Sequence, residues 1–283
     1  MTDDQPTGDA HDPPVTRRSA LALGGAAVGG SALGGIVGAQ EDDDDVDDDE
    51  MDDDQSAGGR RYRVTVANLT RGQPFTPPAV ALHQPSVEVF SVGEPANTPT
   101  KEIAENGNLQ PLVDLIEATD AIRGAAVGEA PLVPDSDPGD TGNPYFASLE
   151  LSADASATHL SFVAMLNATH DGIVGLDTVS LPEAVNASKT YYANGYDVGT
   201  EQNTERFADL VPPARSLIRG ETGEGATESD PDIAEDGVIT PHPGISGDGD
   251  LDPSVYGWRE PAGLVQVERL SNGADESNGD GDD

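Results

Sequence analysis

Apolar and polar residues alternate from Arg61 to Val66, placing Tyr62, Val64 and Val66 on one face and predicting a half-buried strand. Val87-Glu88-Val89-Phe90 and the segments 145–151, 160–166, 189–193 and 263–270 are also short and β-rich. Gly, Pro, Asn or Asp bound them, and each predicts a strand. Two helices interrupt the strands. The first takes Thr98 as its N-cap, carries Pro99 in its first turn and ends before Gly107. The second follows Asn108, with Leu109, Leu112, Val113, Leu115 and Ile116 in one stripe that covers a core. Between about residues 202 and 260 the chain is rich in Gly, Pro and acids and reads as long ordered loops. Many short strands with few helices predict a mainly β fold, an antiparallel β-sandwich with two short helices and long acidic loops.

The ends of the chain have a different texture. Arg17-Arg18 stands before a weakly apolar segment with seven glycines between residues 24 and 38, too many for an ordinary helix. Paired arginines before such a segment read as a twin-arginine export signal over residues 1–40. The sequence leaves open whether the signal is cleaved or kept as an anchor. Residues 41–54 hold twelve acids in fourteen positions, and like charges in a block repel, so 41–59 reads as a disordered acidic linker. Residues 271–283 read as an acidic disordered tail. Residues 60–270 are left as the folded domain, long enough to bury one core.

Charge sharpens this. Over 283 residues there are 53 acidic and 14 basic side chains, a formal charge of −39, and lysine occurs only at Lys101 and Lys189. Such a surface repels nucleic acid, which needs clustered basic residues. Acid-rich and lysine-poor, the balance suits a halophilic protein, whose charges molar salt screens over about 3 Å. The chain has no cysteine, which excludes disulfides, thiolate metal sites and thiol catalysis. No long run of large apolar side chains is present to make a multispan membrane protein.

Neither Gly-x-Ser-x-Gly, nor a phosphate-binding glycine loop, nor His-Glu-x-x-His occurs. Polar residues at strand ends are the remaining candidates. Asp171 and Asp177 flank a glycine-containing turn, and Asp197 and Glu201 stand four apart in the next such loop. Hard cations want several oxygens in one place, so these four carboxylates are expected to share one calcium ion. Asp248, Asp250 and Asp252 imitate an EF-hand, but Pro253 stands where glycine is needed and Arg259 where the bidentate Glu belongs. His83 and His242, each near a proline, form a second candidate: a zinc or manganese pair in an exported metal-dependent hydrolase. Three sequons, at Asn68, Asn167 and Asn186, are candidate N-glycan sites.

Several runs resemble the spondin N-terminal domain family. They are Val66-Ala67-Asn68-Leu69-Thr70 with Gly72-Gln73-Pro74-Phe75-Thr76-Pro77-Pro78 and His83, Ile103-Ala104-Glu105-Asn106-Gly107, and Met165 through Asp171 with Val174-Gly175-Leu176. Tyr196-Asp197-x-Gly199-Thr200-Glu201, His242-x-Gly244-Ile245 and Trp258-Arg259-x-Pro261 complete the order over roughly residues 62–270. The resemblance implies an eight-stranded antiparallel sandwich that binds a divalent cation, usually calcium, through loop carboxylates. Asp171 matches the family's acidic residue after the central strand, although Ala168-Thr169-His170 replaces the usual Pro-Ser-Pro before it. It also implies an extracellular or cell-surface module that binds an unknown protein or glycan and is not an enzyme. The absence of cysteines and of thrombospondin repeats separates this chain from the animal members.

Overall fold

The computed structural model describes residues 59–220 and 229–272. The export signal, nearly all of the acidic linker and most of the acidic tail lie outside the described residues. The chain runs through β1 (Arg60–Asn68), β2 (Ala79–His83), α1 (Thr98–Asn106), α2 (Gln110–Ala118), β3 (Ile122–Val127), β4 (Phe146–Ala153), β5 (His159–Met165) and β6 (Gly172–Ser180). It continues through β7 (Ser188–Asp197), α3 (Pro212–Arg219), β8 (Thr240–Pro241), α4 (Pro253–Tyr256) and β9 (Gly263–Asn272).

All strand pairs are antiparallel, in the order β3-β2-β5-β6-β7-β9-β1-β4, with β8 added to β7. β7 joins two halves: Ser188 to Ala193 pair with β9, whereas Asn194 to Asp197 pair with β6. The two ends of the order approach each other closely, because a Cβ on Gly124 of β3 would collide with the Ser152 carbonyl of β4. The result is the mainly β, sandwich-like fold that the strand pattern predicts.

Burial explains the arrangement. On β1, Tyr62, Val64 and Val66 are fully buried, while Arg61 and Arg63 point outward to Glu150 at 3.1 and 2.9 Å. These exposed pairs stabilise little. β5 is buried on both faces, as a near-continuous apolar run requires. Leu160, Phe162 and Ala164 pack between the strands. Val163 and Met165 pack into a second core with Ile103, Leu112, Phe207 and Ile218, under the helices and loops.

Several elements differ from expectation. Val87-Glu88-Val89-Phe90 is not a strand, because its backbone is used by side chains: the Val89 N–H donates to Asp177 Oδ1, and its carbonyl accepts from Asn97 and Thr100. The N-cap of α1 is Asn97, whose Oδ1 accepts the Thr100 N–H at 2.9 Å, with Thr98 the first helical residue. In the α2 stripe only Leu112 is fully buried, and Leu115 is exposed. Residues 202–260, read as loops, contain α3 and α4, and α3 buries Ala214, Leu217 and Ile218. β9 runs through Asn272, two residues into the expected tail.

Candidate cation site

Asp171 immediately precedes β6, and Gly172 pairs with Asp197 at the end of β7. The register therefore brings Asp171 and Asp197 to the same end of two adjacent strands. The chain then turns at Gly199, whose φ of +71° and contacts with the 237–238 backbone leave no room for a side chain. Gly199 donates to Asp197 Oδ1 at 2.8 Å, and Asn203 Nδ2 donates to Asp197 Oδ2 at 2.6 Å. This turn aims two successive amides back at Asp171. Thr200 N–H and Glu201 N–H donate to its Oδ2 at 2.7 and 2.9 Å.

The other carboxylate oxygen, Asp171 Oδ1, is buried and has no hydrogen-bond partner, and the same holds for Glu201 Oε1. Asp171 is 0% exposed and Glu201 3%. Burial, followed by the nearby Asp197 charge, pushes the Asp171 carboxyl up to about 6 against the pull of its two backbone amides. Burial, then Glu105 and then Asp171, pushes Glu201 up to about 8. Glu105 comes from α1, where it is 3% exposed, accepts the Ser229 hydroxyl at 3.0 Å and lies 3.5 Å from Lys101 Nζ. Buried carboxylates this close carry an unbalanced negative charge, which a proton or a cation must offset. Two bare, buried acceptor oxygens fit the chemistry of a hard cation. Among the described residues no three His, Asp or Glu side chains already converge to hold a metal. A calcium shell takes about 6–8 oxygens, so backbone carbonyls and water would have to complete it, as they do in many calcium-binding loops.

Asp177 does not join this group. It lies six residues farther along β6, roughly 20 Å at strand rise, and its Oδ1 accepts from Val89 N–H at 3.0 Å and Ser161 Oγ at 3.3 Å.

The two histidines are also kept apart. His83, on β2, pairs with His159, which in turn pairs with Ser180 at the far end of β6 from Asp171. His242 follows β8 and donates its backbone N–H to Gly195. Its Nδ1 accepts the Gly244 N–H at 2.9 Å, its ring packs 5.0 Å from Trp258, and burial lowers it to about 4. Among the described residues three hydroxyls stand at hydrogen-bond distance from an imidazole: Thr158 beside His159 at 2.8 Å, Thr204 beside His170 at 3.0 Å and Ser161, whose Oγ lies 2.9 Å from His83 Nε2. His83 Nδ1, however, faces the Gln84 carbonyl, and Ser161 is 2% exposed, so no substrate carbonyl can reach its hydroxyl. The contact braces β2 against β5.

Two of the three sequons are buried as well. Asn68 donates its amide to the Gln73 and Leu132 carbonyls, and Asn167 donates to the Pro74 carbonyl. Both side chains are buried, so neither can carry a glycan in the folded protein. Asn186 is exposed, in a turn with φ of +63°.

The fold and the candidate site together define a mainly β, sandwich-like domain with carboxylates gathered at one end of β6 and β7. Residues 70–210 match the Spondin_N family model, a span that contains Asp171, Asp197 and Glu201. The chain belongs to the spondin N-terminal domain family. No curated protein matches it.

Proposed function

We propose that this is an exported, cell-surface or secreted spondin-type module, which holds calcium beside Asp171, Glu201 and Asp197 and acts by binding partners in adhesion, envelope or matrix contacts. The observation that carries the cation reading is the pair of buried, partnerless oxygens on Asp171 and Glu201. An apolar isostere would remove their repulsion at less cost, so two carboxylates at this depth make sense with a positive charge between them. Asp197 flanks the pair with both oxygens already fixed, each keeping a lone pair to offer. Arg17-Arg18 supports the export reading.

Thermal melting with calcium and with chelator tests the cation. A cation that binds only the folded state stabilises it by about 2.7 kcal/mol at a hundredfold excess over its Kd. For a domain of this size that raises Tm by roughly 5–10 °C. Asp171→Asn should abolish the response. An unchanged Tm on chelation, or a normal calcium response in the variant, would overturn the proposal.

A further inference from the structure

The chain after β1 turns at residues 69–72 and packs against α4 so closely that a Cβ on Gly72 would collide with the Val255 carbonyl. Beneath this turn, Asn68 Oδ1 accepts from the Thr70 backbone and hydroxyl at 2.9 and 2.7 Å. Gln73 Nε2 donates to the Tyr256 carbonyl at 2.9 Å. These buried bonds fix both walls of an open pocket of about 430 Å³, within the size range of small-ligand sites. Its lining includes Leu69, Thr70, Arg71, Ile245, Trp258 and Arg259.

Two arginines on one pocket stand out in a chain of this charge. Most of the other described basic side chains have partners. Arg61, Arg63, Lys101 and Arg123 pair with carboxylates, Arg215 and Arg269 donate to carbonyls, and Arg219 lies over the Phe207 ring. Arg71 and Arg259 are exposed, and neither has a carboxylate within ion-pair distance among the described residues. Glu260, the acid next to Arg259 in sequence, is already committed. Its Oε1 accepts from Gly195 N–H and Trp258 Nε1 at 2.9 and 3.1 Å, and its Oε2 accepts from Ala262 N–H at 2.9 Å. That carboxylate holds Trp258, which is half-buried and packed on His242, in the pocket wall. Guanidinium forks suit planar or tetrahedral oxyanions, and a fixed indole offers an apolar face to a hydroxylated ring.

We propose that this pocket binds an anionic saccharide, with its carboxylate or sulfate between Arg71 and Arg259 and its sugar ring against Trp258. Trp258 and Arg259 lie beyond the matched segment 70–210, and the pocket shares no residue with the cation site. Trp258 is the sole tryptophan of the chain, so intrinsic fluorescence reads this pocket directly.

The test titrates the full chain with digalacturonate, glucose 6-sulfate, galactose and inorganic sulfate. Saturable change with either charged sugar is the expected result, and which one saturates identifies the oxyanion. Galactose should give no change, and inorganic sulfate should bind at least tenfold more weakly. Arg71→Ala and Arg259→Ala should each weaken the charged sugar at least tenfold while leaving calcium-dependent melting intact, and Arg71→Lys should recover only part of the loss. The proposal is overturned if neither charged sugar saturates, if inorganic sulfate binds as tightly, or if both alanine variants bind as wild type. Sugar binding is read from Trp258 fluorescence and calcium binding from melting, so failure here and failure of the cation reading are separate results.

Discussion

Asp171 and Glu201 attract through the backbone and repel through their side chains. The Glu201 N–H donates to Asp171 Oδ2 at 2.9 Å, while each carboxylate keeps one buried oxygen without a partner. The loop that delivers the stabilising amide thus also delivers the opposing charge.

This opposition sets a pH dependence. In an unfolded chain Asp and Glu titrate near ~3.9 and ~4.3, whereas in the folded protein Asp171 holds its proton to about 6 and Glu201 to about 8. Between those limits the folded state binds more protons, so stability falls as pH rises. In chelator, Tm should decline from pH 5 to pH 8; in saturating calcium the decline should flatten as the cation replaces the proton. A chelated protein whose Tm rises over that window contradicts the assignment.

Glu201→Gln removes one of the opposed charges while keeping its shape. At pH 8 in chelator it should melt above wild type, by on the order of 1 kcal/mol, and it should lose most of the calcium response. At pH 5, where wild-type Glu201 is protonated, the two proteins should melt together.

Glu205 should behave in the opposite sense. Its Oε1 accepts from Ser246 N–H at 2.6 Å, and its Oε2 accepts from Gly247 and Asp248 N–H at 2.6 and 2.8 Å. Although partial burial disfavours its charge, these donors hold its carboxyl below the usual range. Its contribution is therefore present above the unfolded carboxyl pKa and lost as the pH falls through the folded value. Glu205→Ala should cost about 3 kcal/mol at pH 7, with a smaller difference from wild type at pH 3 in denaturant melts.

Glycan mapping gives a fourth check. Any N-glycan on the native protein should sit on Asn186, where the side chain is exposed, and none on Asn68 or Asn167. Peptide mass analysis that finds occupancy at Asn167 would contradict the buried amide described above.

Legibility in the sequence followed the strength of local signals. β1 and β5 could be read because alternation and a bounded apolar run survive without context. β3 is Ile-Arg-Gly-Ala-Ala-Val, poor in large strand-forming side chains, and in β6 Gly172, Gly175 and Asp177 break up the β-branched residues, so neither shows a clean strand pattern. Gly175 is small because Phe90 occupies the space of its side chain, a reason only tertiary packing supplies. The same division holds at the candidate site. Asp171, Asp197 and Glu201 lie near each other because of a register between β6 and β7 that two adjacent loops suggest. Asp177 follows Asp171 on an uninterrupted strand, which carries it away. Glu105 was hidden because Lys101-x-x-x-Glu105 has the spacing of an ordinary helix-surface ion pair.

The pairing of β1 with β9 has a mechanical consequence. Arg60 lies opposite Asn272 and Asn68 opposite Gly263, so a pull between Arg60 and Asn272 would part the strands one hydrogen bond at a time, like a zipper. The turn carrying Arg71 follows the other end of β1, about 30 Å away at strand rise. A pull between Arg60 and a ligand held at Arg71 and Arg259 would run along β1 and load its bonds to β9 and β4 together, in shear. The same domain would yield readily to a load applied between Arg60 and Asn272 and resist one drawn between Arg60 and the pocket.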